Sequence, residues 1–172
     1  MGAEAVSNAP AAALRPMLPG DVPVLAAIAV AAITELTGED YDENQQEAWA
    51  ASFDDEAALA ERLAGRLTLV ATRGGGAVGF IALADNREID LLYVHPEVAG
   101  QGIGALLCDA AEKLAKARGS KSLAVDASDT ALGFFQKRGY VPQHRNTVPR
   151  GGVWLGNTTM EKSLEEGGGT VH

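Results

Sequence analysis

Hydrophobic residues recur along the chain with two different periods, and this pattern predicts where helices and strands lie. Apolar residues spaced three to four positions apart indicate amphipathic helices, whereas short apolar runs between turn residues indicate strands. The predicted helices cover residues 21–36, 43–65 with an interruption near 52–55, 102–118 and 128–138. The predicted strands cover residues 12–17, 67–73, 77–84, 88–94, 121–126, 140–148 and 152–160.

The order of these elements favours a mixed α/β fold. One strand and two helices precede three strands joined by tight turns, and two helical crossovers and a final antiparallel pair follow. Hairpin neighbours form antiparallel sheet, whereas a helical crossover forms a parallel pair. We therefore expect a single α/β domain over residues 12–164, with a mostly antiparallel central sheet and flanking helices. Short tails are expected at 1–11 and 165–172.

The segment 91–105 joins an apolar strand to an amphipathic helix through a proline and a cluster of glycines. The first N–H groups of a helix have no partner within it, and the helix dipole makes this end positive. Glycines also let the backbone approach a ligand closely. The segment therefore predicts a binding site for a phosphate or pyrophosphate group.

A dinucleotide is one cofactor that this segment could bind. Gly100-x-Gly102-x-x-Ala105 fits the dinucleotide fingerprint, and Asp126 lies about 20 residues further on at a strand end. However, residues 95–99 separate the glycines from the strand, whereas the fingerprint glycines normally follow their strand at once. The preceding helices and hairpins, and the few strand–helix units that remain, also argue against a doubly wound sheet.

The same segment resembles the acetyl-CoA-binding motif of the GNAT acyltransferase superfamily more closely. The matching residues are Leu92-Tyr-Val-His-Pro-Glu-x-x-Gly-Gln-Gly-Ile-Gly104, and the element order is similar over residues 12–164. The family loop reads Gln/Arg-x-x-Gly-x-Gly/Ala, so Ala99 has lost the family's Arg or Gln, and Gln101 is the nearby partial substitute. The resemblance implies acetyl-CoA contacts from Leu92, Tyr93, Val94, Ala99, Gly100, Gln101, Gly102, Ile103, Gly104 and Ala105.

A second block, residues 128–140, resembles the family signature Asn-x-x-Ala-x-x-Phe-Tyr-x-Lys-x-Gly-Phe. Ser128 replaces the Asn beside the pantetheine arm, and Phe135 replaces a Tyr that protonates the leaving thiolate in many members. Phe134 and Lys137 match the signature, and the resemblance implies that both lie beside the coenzyme. Because Phe135 has no hydroxyl, no general acid is assigned, and solvent is expected to protonate the thiolate.

A narrower resemblance links the C-terminal region 143–162 to YafP-like acetyltransferases. The helical region Tyr41…Gln45…Trp49 resembles their substrate side, so Tyr41 and Trp49 are candidate substrate-binding residues. Phe53 is a further candidate for the acceptor pocket, with core packing as the alternative for all three. Arg145 and Arg150 are candidate ligands for an anionic substrate group, the alternative being a solvated hairpin edge.

The implied reaction moves an acetyl group from acetyl-CoA to the primary amine of a small molecule by direct attack in a ternary complex. The amine must lose a proton first, and Glu88 stands where some family members keep a glutamate base. Asp90 follows two residues later, so we expect it on the same strand face, with Tyr93 on the other. Both carboxylates could equally be solvated strand residues. The resemblance assigns polarisation of the thioester carbonyl to the N–H of Val94.

Composition and charge limit the kinds of binding partner that we expect for this chain. The formal net charge of −9 argues against nucleic acid, which needs a basic face. We expect no membrane span, because no stretch comes near the length of about 20 apolar residues that a span needs, and we expect no signal peptide. The single Cys108 fits a reducing compartment, so the expected location is cytoplasmic. The three histidines lack the spacing of metal ligands, so no metal is expected.

Three functions stay open at this point. The first is the acetylation of a small amine. The second is a non-catalytic or regulatory acyl-CoA-binding protein of the same fold, to which the changes at Ala99, Ser128 and Phe135 point. The third is acetylation of a protein. Members of the family are often dimers, so a homodimer is a further possibility.

Overall fold

Residues 11–165 of the computed structural model form a seven-stranded sheet with helices on both faces. The helices are α1 (Val22–Leu36), α2 (Glu43–Ala51), α3 (Glu56–Ala64), α4 (Ile103–Ala117) and α5 (Leu132–Lys137). The strands are β1 (Ala12–Pro16), β2 (Leu67–Arg73), β3 (Gly76–Ala84), β4 (Glu88–Val94), β5 (Ser122–Ser128), β6 (Val141–Arg150) and β7 (Val153–Ser163). The tails predicted at 1–11 and 165–172 lie outside the described residues, except for residues 11 and 165.

The strand order is β1-β2-β3-β4-β5-β7-β6. Among the described strands, β4 and β5 form the only parallel pair, and every other neighbouring pair is antiparallel. This confirms the mixed, mostly antiparallel sheet with flanking helices that the element order predicts. It also rules out the doubly wound parallel sheet that a dinucleotide fold requires.

Two hydrophobic clusters cover the two faces of the sheet. On one face, α1 and α3 pack against Phe80 and Ala82, and on the other α4 packs against Ile81 and Leu83. The alternation of these four β3 residues is that of a strand buried on both sides. Burying each large apolar side chain contributes about 1.5–3 kcal/mol, so both faces are firmly anchored.

Side-chain caps explain why the helical stretch predicted at 43–65 divides into two helices. Asp42 accepts a hydrogen bond from the N–H of Gln45 at the start of α2. Asp55 accepts one from the N–H of Ala58 at the start of α3. Each cap satisfies an N–H group that the first turn leaves unpaired, which confirms the predicted interruption near 52–55.

The final hairpin differs from the prediction in its turn. The sequence places the turn around residues 149–151, whereas β6 and β7 extend further and turn at Gly151 and Gly152. Both glycines have positive φ, 52° and 86°. Consecutive residues of positive φ match the twist of the paired strands, so this pair forms the turn.

The expectation that no segment comes near the length of a membrane span is wrong for Pro19–Leu36. This segment has 18 residues with a mean hydropathy of 1.5 and is long and apolar enough to cross a membrane. In this structure Leu25, Ile28 and Ile33 of α1 are buried against the sheet. The segment therefore packs here as a core helix.

Candidate active site

A gap in the sheet between β4 and β5 forms the candidate active site. The two strands pair only at Glu88 with Ala124 and at Ile89 with Val125, and beyond Ile89 they separate. A cavity of about 430 Å³ fills the gap and reaches residues on both faces of the sheet. The sequence does not reveal where this separation begins.

A β-bulge in β4 decides which side chains enter the cavity from each face. Ala82 pairs with Leu91 but Leu83 pairs with Ile89, so Asp90 is the extra residue. Accordingly Ile89 packs on the α4 face, whereas Leu91 packs on the α1 face, although they are two residues apart.

Because of this bulge, the side chain of Tyr93 points to the opposite face from the one that the sequence predicts. Simple alternation predicts Tyr93 on the face opposite Asp90, but Tyr93 packs against Phe53 and Phe80 in the α1 cluster. Asp90 is bonded to Arg62 of α3 on that same face. Both residues therefore reach the cavity from the α1 side.

The backbone of β4 turns an N–H group toward the gap. The N–H of His95 donates to the carbonyl of Val78 in β3, 2.8 Å away. Because N–H directions alternate along an antiparallel strand, the N–H of Val94 points to the other side. That side faces the gap, since the pairing with β5 ends at Ile89.

The glycine loop before α4 has the properties of an anion site. Gly100 and Gly102 have φ of 78° and 88°, conformations that side chains disfavour. Backbone N–H groups at the start of the helix, of Gly102, Ile103, Gly104 and Ala105, find no backbone acceptor in the described residues. The dipole of α4, a helix of 15 residues, adds positive potential at this end.

Side chains around the loop support it. Phe134 packs against Gly104, where an added Cβ would lie 3.4 Å from the ring. The guanidinium of Arg73, at the end of β2, donates to the side-chain carbonyl of Gln101. The Nε of Arg73 is buried and has no acceptor among the described residues, so a donor remains available beside the loop.

The predicted site residues of the second block, residues 128–140, have different structural roles. The hydroxyl of Ser128 accepts from the N–H of Ala131, 3.1 Å away, and orders the turn before α5. Phe135 is 2% exposed and packs edge-to-face against Phe134 and Tyr140, while one edge of it lines the cavity. Lys137 is exposed and does not line the cavity.

Aromatic side chains form the wall of the cavity on the α1 side. Tyr41 is 5% exposed, and its hydroxyl donates to the carbonyl of Gly156 and accepts from the N–H of Asp129. Trp49 packs edge-to-face on Tyr41 and donates from Nε1 to the hydroxyl of Tyr93, 3.1 Å away. Burial raises the pKa of Tyr93 to about 12, so this hydroxyl is protonated at neutral pH.

Asp90 is held in an ion pair with two arginines. Its carboxylate accepts two hydrogen bonds of 2.8 Å from Arg62 and one of 3.3 Å from Arg66. Burial acts to raise the pKa of Asp90, but the hydrogen bonds and charges of Arg62 and Arg66 hold it below its usual value. A carboxylate in this state is a weak proton acceptor.

Glu88 lies at the start of β4, is exposed and does not line the cavity. Burial of part of the side chain raises its pKa, and the negative charges of Asp126 and Asp90 raise it further. Asp126 of β5 does line the cavity. A carboxylate with a raised pKa accepts a proton more readily than Asp90 does.

The two arginines predicted to contact an anionic group have different surroundings. Arg145 pairs with Asp129 through two hydrogen bonds and does not line the cavity. Arg150 lines the cavity and forms no ion pair with any described residue. The prediction for Arg145 as a free anion ligand therefore finds no support in this arrangement.

Cys108 is fully buried on α4, outside the cavity, and burial raises the pKa of its thiol to about 12. A thiol in this environment is inert at neutral pH. Within residues 11–165, no group of three or more His, Cys, Asp or Glu side chains is arranged to hold a metal ion.

The structure thus brings most predicted site residues together and adds others. The predicted residues that line the cavity are Tyr41, Trp49, Asp90, Leu92, Tyr93, Val94, Ser128 and Phe135. The loop 99–105 and Phe134 lie next to it, at the end marked by Val94, because an added Cβ on Gly104 would lie 3.9 Å from that side chain. Phe53, a further candidate from the sequence, also lines the cavity, whereas sequence reasoning missed the lining residues Arg62 and Asn157 and weighed Asp126 only as part of a dinucleotide site. The position of Asp126 at the end of a predicted strand was the one sequence feature that could have indicated such a lining residue.

The family model described as an acetyltransferase (GNAT) domain matches residues 37–164. The chain belongs to the GNAT acetyltransferase family. It is 34% identical over 147 residues to the uncharacterized N-acetyltransferase YafP of Escherichia coli K12, covering 86% of this chain and 93% of YafP.

Solved structures agree with this assignment. A GCN5-related N-acetyltransferase from Rhodopseudomonas palustris is 59% identical, with a TM-score of 0.86 over 88% of this chain and 94% of that one. The PaiA N-acetyltransferase from Thermoplasma acidophilum, solved in complex with coenzyme A, has a TM-score of 0.74. At 22% identity, over 89% of this chain and 99% of that one, this second likeness shows the fold alone.

The GNAT protein described here is therefore an acyltransferase that uses acetyl-CoA. The residues present fit this coenzyme, because the glycine loop leaves space and unpaired N–H groups for the pyrophosphate. The gap between β4 and β5 leaves an unpaired strand edge beside the loop for the pantetheine arm.

Proposed function

We propose that this GNAT enzyme acetylates the primary amine of a small molecule by direct attack in a ternary complex. The observation that carries the proposal is the cavity, which joins the coenzyme gap to an aromatic pocket on the α1 side. Its volume of about 430 Å³ is in the range of small-molecule sites. The hairpin β6–β7 and α2 border this pocket, since Arg150, Leu155 and Trp49 line it.

The residues supply the chemistry as follows. Acetyl-CoA supplies an activated acetyl group as a thioester. Glu88 takes a proton from the amine through water, so that the nitrogen lone pair is free to attack the carbonyl carbon. The N–H of Val94 stabilises the negative charge that develops on the carbonyl oxygen. The nitrogen then releases its second proton to water, the carbon–sulfur bond breaks to leave the amide, and the thiolate takes a proton from solvent.

Direct attack is supported by the position of the cysteine. A covalent acetyl-enzyme route needs a nucleophile at the thioester, and Cys108 is buried outside the cavity with a raised pKa. The hydroxyl of Tyr41 is occupied by Gly156 and Asp129. The amine itself is then the nucleophile.

Initial-rate kinetics test the proposal. Small primary amines and short peptides are offered with acetyl-CoA, CoA release is followed, and the product is identified by mass spectrometry. We expect acetylated small amines, intersecting lines when both substrates are varied, and an unchanged rate for Cys108→Ala. Parallel lines would show a covalent intermediate, and a preference for peptides would favour a protein acetyltransferase.

A further inference from the structure

The α1 side of the cavity carries charged groups that have no partner of opposite charge. Arg150 at the end of β6 forms no ion pair with any described residue, although Arg145 on the same strand does. Asp126 on β5 accepts a hydrogen bond from the hydroxyl of Thr159 but pairs with no cation among residues 11–165. One cation and one anion without counter-charges thus line the same cavity.

The hydroxyl of Tyr93 offers a further donor beside Arg150. Its oxygen accepts from Nε1 of Trp49, and its own proton has no acceptor among the described residues. Arg150 and Arg62 lie close enough for their positive charges to act on this hydroxyl. The negative charge of Asp90 also acts on this hydroxyl, but the two guanidinium charges outweigh it, and a hydroxyl donor in such a field favours an anionic oxygen.

Arg62 keeps part of its positive charge available. Two arginines, Arg62 and Arg66, share the single carboxylate of Asp90, and the side chain of Arg62 remains 42% exposed. Glu88 is the other carboxylate that acts on both arginines, and it lies toward the start of β4. The Tyr93 end of the cavity, where Arg150 stands, is therefore the positive end.

Asp126 lines the other end of the same wall, and Glu88 lies next to it, outside the cavity. Asp126 of β5 lies opposite Thr159 of β7 in the sheet, and its negative charge acts on Glu88. A protonated amine is attracted to these two carboxylates before it loses its proton to the proposed base. One end of the wall can therefore bind the anionic group of a ligand, and the other end can bind the cationic group of the same ligand.

We infer that the acceptor is a zwitterion, a primary amine that also carries a carboxylate. Its carboxylate pairs with Arg150 and accepts from the Tyr93 hydroxyl, while its ammonium group lies toward Asp126 and Glu88. The aromatic rings of Trp49 and Phe53 contact the apolar part between or beside these groups. The inference rests on the proposed function and names the substrate class of that site.

Matched pairs of amines test this inference. The probes are the common α-amino acids and β-alanine, each compared with the amine that lacks the carboxylate, such as phenylalanine with phenethylamine. CoA release gives kcat/KM for each member. We expect at least about a tenfold advantage for the carboxylate-bearing member of the best pair, as a charge-assisted pair with Arg provides.

Variants assign that advantage to Arg150. Arg150→Gln should remove about tenfold from kcat/KM for the amino acid and leave its carboxylate-free partner within about twofold, while Arg150→Lys should retain part of the advantage. Arg87→Gln is the matched control, since Arg87 is exposed and lies outside the cavity. Folding of each variant is checked by thermal melting with and without acetyl-CoA.

The outcomes separate this inference from the proposed function. Equal rates for both members of every pair, or an equal loss for both in Arg150→Gln, would overturn the inference while small-amine acetylation stands. Turnover of only carboxylate-free amines would do the same. Failure of every small amine would overturn both, and stabilisation by acetyl-CoA would then show that only the acceptor assignment is at fault.

Discussion

The two sides of the cavity differ in how the chain builds them. The coenzyme side comes mainly from one continuous stretch, in which β4, the glycine loop and α4 follow each other directly. The acceptor side collects residues that lie far apart in sequence, from α1, α2, α3, β4, β5 and the hairpin β6–β7. Local backbone geometry therefore shapes the first side, whereas long-range packing shapes the second.

The two sides also differ in the groups that they offer to a ligand. The coenzyme side presents backbone N–H groups around Gly102, and such groups can bind a pyrophosphate whatever the neighbouring side chains are. The acceptor side presents side chains such as Arg150, Tyr93 and Asp126. Substitutions on the coenzyme side should thus change acetyl-CoA affinity, and substitutions on the acceptor side should change turnover, its pH dependence or stability.

The largest expected effect is on the acceptor side. Glu88→Gln should lower kcat/KM by about 100-fold, which is typical for loss of a general base. Because the pKa of Glu88 is raised, activity of the native enzyme should decline as the pH falls through a pKa higher than the ordinary value of a glutamate. The variant should lose this acidic limb, which a pH–rate profile at saturating acetyl-CoA would measure.

The melting temperature of the variant distinguishes a catalytic role of Glu88 from a structural one. A raised carboxyl pKa means that the ionised form is less favourable in the folded state, so any stabilisation exists at low pH and is lost as the pH rises through the raised pKa. Glu88→Gln should therefore not lower Tm at neutral pH. Glu61→Gln on the exposed face of α3 is the control. An unchanged pH profile would remove Glu88 from the mechanism.

The next effect concerns the coenzyme side and compares the two ends of α4. Gly102 and Gly119 have similar φ of 88° and 93°, and an added Cβ meets no atom within 4 Å at either. Alanine at each position should cost about 1–2 kcal/mol of stability from the left-handed backbone. Only Gly102→Ala should weaken acetyl-CoA binding, by about 30-fold, because its Cβ enters the anion site.

Calorimetric titration with acetyl-CoA measures this difference. If both variants kept the affinity of the native enzyme, the pyrophosphate would not bind at the loop. Equal losses of affinity would mean that the backbone strain, rather than the local Cβ, disturbs the helix. The pair thus tests whether the coenzyme side depends on local geometry alone.

The sequence predicted the coenzyme side better than the acceptor side for the same physical reason. Strand, glycines and helix are adjacent, so their spacing predicted an anion site at Gly102 and Gly104, and the family resemblance added Val94 beside it. The direction of Tyr93 could not be predicted, because the bulge at Asp90 arises from how β4 pairs with β3. A single inserted residue moves every later side chain to the other face.

Most of the acceptor side was beyond sequence reasoning. Tyr41 and Trp49 were found through resemblance and Phe53 was a candidate beside them, but Arg62 comes from a helix whose packing is set by the fold. Arg145 and Arg150 looked equivalent as candidates in the predicted hairpin, and only the structure shows that Asp129 neutralises the first. The charge of a site depends on such tertiary pairs, which leave no local pattern.

A smaller effect is expected from breaking the ion pair on the acceptor side. Asp90→Asn should lower the free energy of unfolding at neutral pH by about 1–3 kcal/mol, because two guanidinium groups lose a charged acceptor that is 14% exposed. The pKa of Asp90 is lowered, so this stability is present above the usual carboxyl range and is lost as the pH falls through the lowered pKa. Urea unfolding at several pH values should show the two proteins converging in acid. Asp54→Asn, at an exposed position, serves as control, and a constant difference at all pH values would contradict this account.

The smallest effect returns to the coenzyme side, where Ala99 lacks the family's Arg or Gln. Arg73 reaches the loop from β2 through Gln101 and keeps a buried donor without an acceptor, so its charge stands near the anion site. Arg73→Gln should weaken acetyl-CoA binding by about fivefold, since backbone N–H groups still hold the pyrophosphate. Acetyl-pantetheine, which has no pyrophosphate, should bind the variant and the native enzyme equally in the same titration. Arg118→Gln at the far end of α4 is the control for lost charge, and an equal loss for both ligands would mean that Arg73 supports the fold of the loop rather than the phosphates.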